Sequence, residues 1–167
     1  MANNPKKRRA DHPSVDVPAV DPVEDDVEAM LGAAPILADP IDLFLIDDDP
    51  MFVKTMKLVA AHEGISLTSS GSFVDVQAHV RELAFDVAIV DYDLGSVTGV
   101  EVSQYLEHFV GSKPTIVISI SDRNDDVSSL WAHPYVRFVH KNSGHSAILH
   151  AAIDLVHSYR AGHTKAS

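Results

Sequence analysis

The chain has 167 residues, of which 46% are hydrophobic, and this suits one domain with a buried core plus a tail. Its net charge of −11 argues against a general binder of nucleic acid or of anionic membranes, and no apolar run approaches the roughly 18 residues that span a bilayer. The absence of cysteine excludes disulfides, thiol catalysis and thiolate metal sites, so we expect a soluble cytoplasmic protein.

Residues 1–40 differ in composition from the rest of the chain. They lack Phe, Trp and Tyr, and they combine prolines and acidic residues with a basic cluster at Lys6–Arg9. Such a segment buries too little apolar surface to offset the entropy of ordering, so we predict a disordered N-terminal tail, with a short helix over Val23–Leu31 as an option. The basic cluster is typical of a targeting or nucleic-acid signal, but acidic residues follow it directly, which favours a solvated tail.

Strand-like and helix-like segments alternate from residue 41 to about residue 160. Short apolar strands are predicted at Ile41–Ile46, Ile65–Ser69, Val87–Val90, Thr115–Ile120 and Val136–His140. Helices are predicted at Met51–His62, Gly99–Phe109, 122–133 and Ser146–Tyr159. One more helix is predicted after a Ser72 cap, with an apolar stripe from Phe73 to Leu83. In the helix at Gly99–Phe109, Val102, Leu106 and Phe109 are predicted to face inward. A C-terminal tail over 161–167 follows.

These five strand–helix units predict an α/β domain. Near-continuous apolar strands that alternate with amphipathic helices indicate a parallel sheet covered on both faces. Five strands with five helices suit the flavodoxin-like, doubly wound order 2-1-3-4-5, in which the ligand site lies outside the carboxyl ends of strands 1 and 3.

Acidic side chains follow those two strands. Asp91 ends the buried strand in the stretch FDVAIVDYDLGSVTG, and Asp47 and Asp48 end the first strand. Clustered carboxylates raise one another's pKa, and a hard cation such as Mg²⁺ removes the repulsion. We therefore predict a Mg²⁺ site with these ligands: Asp48 directly, Asp47 directly or through water, Asp91, and the backbone carbonyl of Asp93.

The template for phosphoryl transfer assigns a role to each group. Asp91 attacks a phosphoryl group in line and becomes an acyl phosphate. Ser119, near the end of the fourth strand, offers a hydroxyl to a phosphoryl oxygen. Lys141, after the fifth strand, offers a positive charge that pairs with Asp91 when the phosphoryl group is absent. Asp49 is predicted to cap the helix that begins near Pro50 rather than to bind metal.

With these residues in place, the chain resembles the receiver domain of bacterial two-component response regulators over about residues 41–160. The segments that carry the resemblance are LFLIDDDP, FDVAIVDYDLGSVTGVEV, PTIVISIS and VRFVHK. The resemblance implies these roles: Asp91 as phosphoacceptor, Asp47 and Asp48 as the Mg²⁺ pair, Ser119 as the switch hydroxyl, Lys141 as the site lysine, and Phe138 as the aromatic switch residue whose ring moves inward.

The leading hypothesis is a single-domain response regulator. A histidine kinase or histidine phosphotransfer protein supplies the phosphoryl group. Phosphorylation changes how a downstream protein binds the face formed by the fourth helix, the fifth strand and the last helix. Eight residues follow Tyr159, too few for an output domain, so we expect action by protein contact or as a phosphate sink. A dimer that forms on phosphorylation is an option, and we do not expect an enzyme.

Three positions depart from the family pattern. Asn142 stands where a proline after a cis bond is usual. Because a cis bond without proline costs about 3–4 kcal/mol, we predict a trans Lys141–Asn142 bond and a rerouted loop. Gly95 replaces a common proline and should loosen its loop. Ile120 follows the switch serine where a small residue is usual, and its bulk should narrow access to the phosphoryl slot.

Two other functions stay open. The DYD sequence at 91–93 is similar to the DxD motif of haloacid-dehalogenase-type phosphohydrolases, although that motif usually ends the first strand. A degenerate receiver, which binds partners without being phosphorylated, is the second. The intact acids and Lys141 argue against it, whereas Ile120 favours it.

The remaining aromatic and imidazole side chains give weaker signals. Trp131 and Tyr135 either anchor a partner or belong to the core. The ten histidines show no HxH or HxxxH ligand pair, so we predict that they are scattered surface residues.

Overall fold

Five parallel strands form one sheet in the spatial order second, first, third, fourth and fifth along the chain, which confirms the predicted doubly wound topology. The computed structural model describes residues 40–121 and 133–164. The strands are β1 (Asp42–Ile46), β2 (Ser66–Ser70), β3 (Val87–Asp91), β4 (Thr115–Ser119) and β5 (Val136–His140). The α-helices within these ranges are α1 (Pro50–His62), α2 (Phe73–His79), α3 (Gly99–Val110) and α4 (His145–Thr164).

Three short elements complete the fold within residues 40–121 and 133–164. A 3-10 turn, Val80–Glu82, follows α2, and another, Lys141–Ser143, follows β5. A hairpin pairs Asp93–Leu94 with Val97–Thr98 between β3 and α3. Several predictions concern residues outside the described ranges: the tail over 1–39, nearly all of the helix over 122–133, and the surroundings of Trp131. No helix in the described part of the chain has the length and apolar character needed to cross a membrane.

The central strands are apolar because helices cover both sides of the sheet. β3 and β4 are buried along their whole length. Alternate strand residues point to opposite faces. One face packs against α1 and α4 through side chains such as Met56 and Leu155, and the other packs against α2 and α3 through Val76 and Leu106. Because β1 and β3 pair in parallel, their carboxyl ends lie side by side at one edge of this buried sheet.

Capping side chains fix where the first two helices begin. Asp49 accepts a hydrogen bond from the Met51 N–H at 2.8 Å, which confirms that it is the N-cap of α1. Ser72 accepts a hydrogen bond from the Asp75 N–H at 3.2 Å and caps α2 as predicted. The apolar stripe of α2 continues into the 3-10 turn rather than into a longer α-helix.

The placement of Phe109 differs from the prediction. Phe109 is 43% exposed, whereas Val102 and Leu106 are buried as expected, so the inward placement of Phe109 was wrong. Phe109 lies beside the last residue of α3, at the rim of the core, and its ring packs on Tyr105 and His108 instead.

The last helix was predicted to run from Ser146 to Tyr159, but it begins one residue earlier and ends five residues later. Tyr159 and His163 are four residues apart, and their rings contact each other and the half-buried ring of Tyr135. These contacts extend the packed part of the helix.

The loop after β5 takes the predicted trans form. No peptide bond in residues 40–121 or 133–164 is cis, so the prediction for Lys141–Asn142 is confirmed. The loop is a single 3-10 turn that ends at Gly144, whose φ of 90° favours glycine. It leads directly into α4.

Candidate functional site

Three carboxylates meet at the carboxyl edge of the sheet. Asp47 and Asp48 follow β1, Asp91 ends β3, and one ligand oxygen from each lies within 4.8 Å of the others. Asp47 and Asp91 are buried, whereas Asp48 is exposed. The parallel register, with Ile46 opposite Val90, brings the acids together as the sequence analysis expected. Their role in metal binding stays a prediction.

Lys141 joins this cluster from the end of β5. Its Nζ atom lies 2.8 Å from Oδ2 of Asp47 and 3.0 Å from Oδ2 of Asp91, and its side chain is only 10% exposed. The sequence predicts only the contact with Asp91. The contact with Asp47 could not be inferred from strand order, because β3 and β4 separate β1 from β5.

Burial and charge pairing together set the protonation of the site. Burial raises the pKa of Asp47 and of Asp91 above the ordinary value of 3.8, although hydrogen bonds from Lys141 oppose that effect. The neighbouring Asp47 charge raises the pKa of Asp91 further. Burial alone would lower the pKa of Lys141, but its hydrogen bonds to the two carboxylates outweigh this and raise it. The site therefore holds a firmly charged lysine and an excess of carboxylate.

This donor set fits a hard divalent cation. Mg²⁺ prefers oxygen ligands and is commonly held by one or two carboxylates together with water and phosphate oxygens. Asp47, Asp48 and Asp91 offer such oxygens, and the exposed Asp48 leaves one side of the cluster open to solvent. Asp93 lies in the hairpin directly after β3, and its carbonyl stays a predicted ligand.

Close packing fixes the backbone on both sides of Asp91. The Tyr92 N–H donates to the carbonyl of Ile118, and the Gly99 N–H donates to the carbonyl of Tyr92, each at 2.7 Å. A Cβ atom on Gly99 would lie 2.6 Å from the carbonyl oxygen of Asp91. A larger residue at position 99 must therefore displace either its own backbone or that of Asp91. The N-terminus of α3 thus lies directly against the predicted phosphoacceptor.

The loop after Asp91 forms a short paired hairpin. Gly95 closes the hairpin with a φ of 72°, a conformation that proline cannot adopt. The expected loosening of this loop stays a prediction.

α3 begins with a capping box that the sequence analysis missed. The Glu101 N–H donates to Thr98 Oγ1 at 3.3 Å, and the Thr98 N–H donates to Glu101 Oε2 at 2.8 Å. These bonds lower the pKa of Glu101. The sequence TGVE at 98–101 matches the capping-box pattern and was the available signal.

The two predicted switch residues lie on the neighbouring strands β4 and β5. Ser119 is buried at the end of β4, and its hydroxyl accepts a hydrogen bond from the Ser121 N–H at 3.2 Å. Phe138 is half-buried in β5 and packs with Tyr92 and its neighbours. Ile120, next to Ser119, is 67% exposed. Switching by Ser119 and Phe138 stays a prediction.

The ring of Phe52 lies beside Lys141, and the ring of His145 packs on Phe52; neither contact was predicted from the sequence. The Lys141 Nζ atom lies 4.7 Å from the centroid of the Phe52 ring, and the His145 ring lies 4.7 Å from the same ring at an angle of 33°. His145 is half-buried with a buried Nε2 atom, so its placement on the surface was wrong. These residues come from α1, the end of β5 and α4, and only the packing of those elements brings them together.

Comparison with known proteins identifies the family to which the chain belongs. A family model described as the response regulator receiver domain matches residues 43–153. A Mycobacterium tuberculosis protein named "Probable transcriptional regulatory protein TcrX" is 23% identical over 87 residues. That alignment covers 52% of this chain but only 37% of the relative.

Solved structures show the same fold. A CheY-like receiver domain protein from Methanospirillum hungatei matches with a TM-score of 0.65 and 16% identity, over 74% of this chain and 99% of that one. A response regulator from Burkholderia pseudomallei, with a phosphorylated aspartic acid, a calcium ion and citrate, matches with a TM-score of 0.61 and 16% identity, over 75% and 73% of the two chains.

Proposed function

Since the chain belongs to the response regulator receiver family, we propose that Asp91 accepts a phosphoryl group from a histidine kinase or a histidine phosphotransfer protein. The observation that carries the proposal is the buried carboxylate of Asp91 at the end of a central strand, flanked by an acid pair and by Lys141. The fold match to a response regulator that contains a phosphorylated aspartic acid gives further support by analogy.

The chemistry follows from these groups. A carboxylate oxygen of Asp91 attacks the phosphorus atom, an O–P bond forms, and the P–N bond to the donor histidine breaks, with its electron pair going to the imidazole nitrogen. The Lys141 ammonium offsets the negative charge of the phosphoryl oxygens, and the Ser119 hydroxyl donates a hydrogen bond to one of them. Asp47 and Asp48 would hold Mg²⁺, which supplies further positive charge at those oxygens when bound.

The output that we propose is a change in protein binding. The phosphoryl group favours one of two conformations, and Ser119 and Phe138 couple the site to the face that contains β5 and α4. A downstream protein in the cytoplasm reads that face. Action as a single-domain regulator, and dimerisation on phosphorylation, stay predictions.

A phosphohydrolase is not favoured by this arrangement. Asp91 ends the third strand in the chain rather than the first, and the receiver family matches across 43–153. A degenerate receiver would have the same fold, so only a phosphorylation experiment separates it from the leading proposal.

The test is incubation of the full chain with acetyl phosphate and Mg²⁺, followed by intact-mass measurement. We expect the wild-type chain to gain one phosphate, and we expect Asp91→Asn or added EDTA to abolish the gain. Asp154→Asn, at an exposed acid on α4, is the matched control and should be phosphorylated like the wild type. Rapid turnover of a phosphomonoester would instead indicate a phosphohydrolase, and a folded chain that gains no phosphate would indicate a degenerate receiver.

A further inference from the structure

We propose that Phe52 is a positioning residue that holds the Lys141 ammonium at the phosphoacceptor site, a role that rests on the function proposed above. The Lys141 Nζ atom lies 4.7 Å from the centroid of the Phe52 ring, within the range at which an aromatic face attracts a cation. The Lys141 side chain is 10% exposed and Phe52 is 9% exposed. The contact is thus largely removed from water, where this attraction is strongest.

Of the three groups described in contact with the Lys141 ammonium, the Phe52 ring is the one that carries no charge. The other two are the carboxylates of Asp47 and Asp91, which a divalent cation would also bind. A metal at those oxygens competes with Lys141 for negative charge and repels its ammonium. The face of Phe52 binds no metal, so it can keep the ammonium close to Asp91 when the contact with Asp47 weakens.

His145 holds the ring of Phe52 in place. Its imidazole packs against Phe52 with a centroid distance of 4.7 Å and an interplanar angle of 33°. The buried Nε2 atom of His145 has no hydrogen-bond partner among residues 40–121 and 133–164, so packing rather than hydrogen bonding at that atom orients its ring. Phe52 also belongs to the core between α1 and α4. The position of Lys141 is therefore tied to the packing of these two helices.

The kinetic test uses Phe52→Leu, which keeps an apolar side chain but removes the ring. We expect phosphorylation by acetyl phosphate to slow by about 2- to 30-fold, the change that corresponds to a cation–π contact of about 0.5–2 kcal/mol. Met56→Leu, a conservative change at a buried position one turn further along α1, is the control and should leave the rate unchanged.

A double-mutant cycle separates positioning from a general structural effect. If Phe52 acts through Lys141, Phe52→Leu should have no further effect in a Lys141→Met background. Equal slowing in both backgrounds would overturn the proposal.

A spectroscopic measurement tests the contact without any phosphate donor. The Cε protons of Lys141, assigned by comparison with Lys141→Met, should show an upfield ring-current shift in the wild-type NMR spectrum and lose it in Phe52→Leu. An ordinary shift in the wild type would overturn the inference. If the wild-type chain gains no phosphate, the proposed function fails, and the ring-current shift still decides whether Phe52 holds Lys141.

Discussion

The Lys141 ammonium lies 2.8 Å from Oδ2 of Asp47, one of the two buried carboxylates that a bound metal would also use. Without a metal, this lysine is the positive charge that offsets the buried acids. With a metal, the same acids have two cationic partners. Stability, metal affinity and phosphorylation should therefore be linked through this contact.

The first prediction concerns the loss of that charge. Lys141→Met leaves Asp47 and Asp91 buried without the ammonium, so the metal-free variant should lose about 1–3 kcal/mol in the free energy of unfolding. Mg²⁺ should restore much of this loss, because a ligand that binds only the folded state stabilises it. Urea denaturation with EDTA and with Mg²⁺ measures both effects.

The control for this experiment is Lys57→Met, at an exposed lysine on α1. It should change the free energy of unfolding by no more than about 0.5 kcal/mol under either condition. Equal stability of Lys141→Met and Lys57→Met in EDTA would contradict the ion-pair interpretation.

Much of the sheet could be predicted because its strands are short, apolar and buried. β5 has its predicted bounds, and β1, β3 and β4 each differ by one residue at one end. The meeting of Asp47, Asp48 and Asp91 followed from strand order alone.

The unpredicted features depend on contacts between distant elements. The ring of Phe52 has the sequence pattern of an ordinary core residue, and its contact with Lys141 exists only because α1 packs beside the end of β5. Phe109 matches the helical spacing but lies at the end of α3, where that spacing no longer distinguishes core from rim. The final turns of α4 depend on ring contacts with Tyr135.

The second prediction is a pH dependence of metal binding. Burial raises the pKa of Asp47 and of Asp91 above 3.8, so these groups take up protons at pH values where exposed aspartates stay charged. A protonated carboxyl group is a poor ligand, and lowering the pH therefore weakens Mg²⁺ binding. Titration calorimetry at about pH 8 and at about pH 5 should show a higher Kd at the lower pH. A Kd that is constant over this range would show that neither group titrates there.

The third prediction concerns the close approach of α3 to Asp91, the proposed phosphoacceptor. Gly99→Ala places a Cβ atom 2.6 Å from the carbonyl oxygen of Asp91, which forces the backbone apart. We expect a loss of about 1–3 kcal/mol in the free energy of unfolding, typical of overpacking, together with slower phosphorylation. Thermal denaturation and the intact-mass assay provide the two measurements.

A second glycine provides the comparison for Gly99→Ala. A Cβ atom on Gly71 would have no neighbouring atom within 4 Å, so Gly71→Ala should retain both stability and phosphorylation. If the two alanine variants behave alike, the close approach to Asp91 has no energetic importance.

The fourth prediction concerns access to the phosphoryl slot. Ile120 directly follows Ser119 and is 67% exposed, so Ile120→Ala removes little buried surface and should change the free energy of unfolding by no more than about 0.5 kcal/mol. If the Ile120 side chain narrows the approach to Asp91, as the sequence predicts, we expect acetyl phosphate to phosphorylate the variant several-fold faster, with faster loss of the phosphate as well. Val74→Ala, at an apolar residue on α2 that is 72% exposed, is the matched control and should leave both rates unchanged. Unaltered rates in Ile120→Ala would show that this side chain does not limit entry to the site.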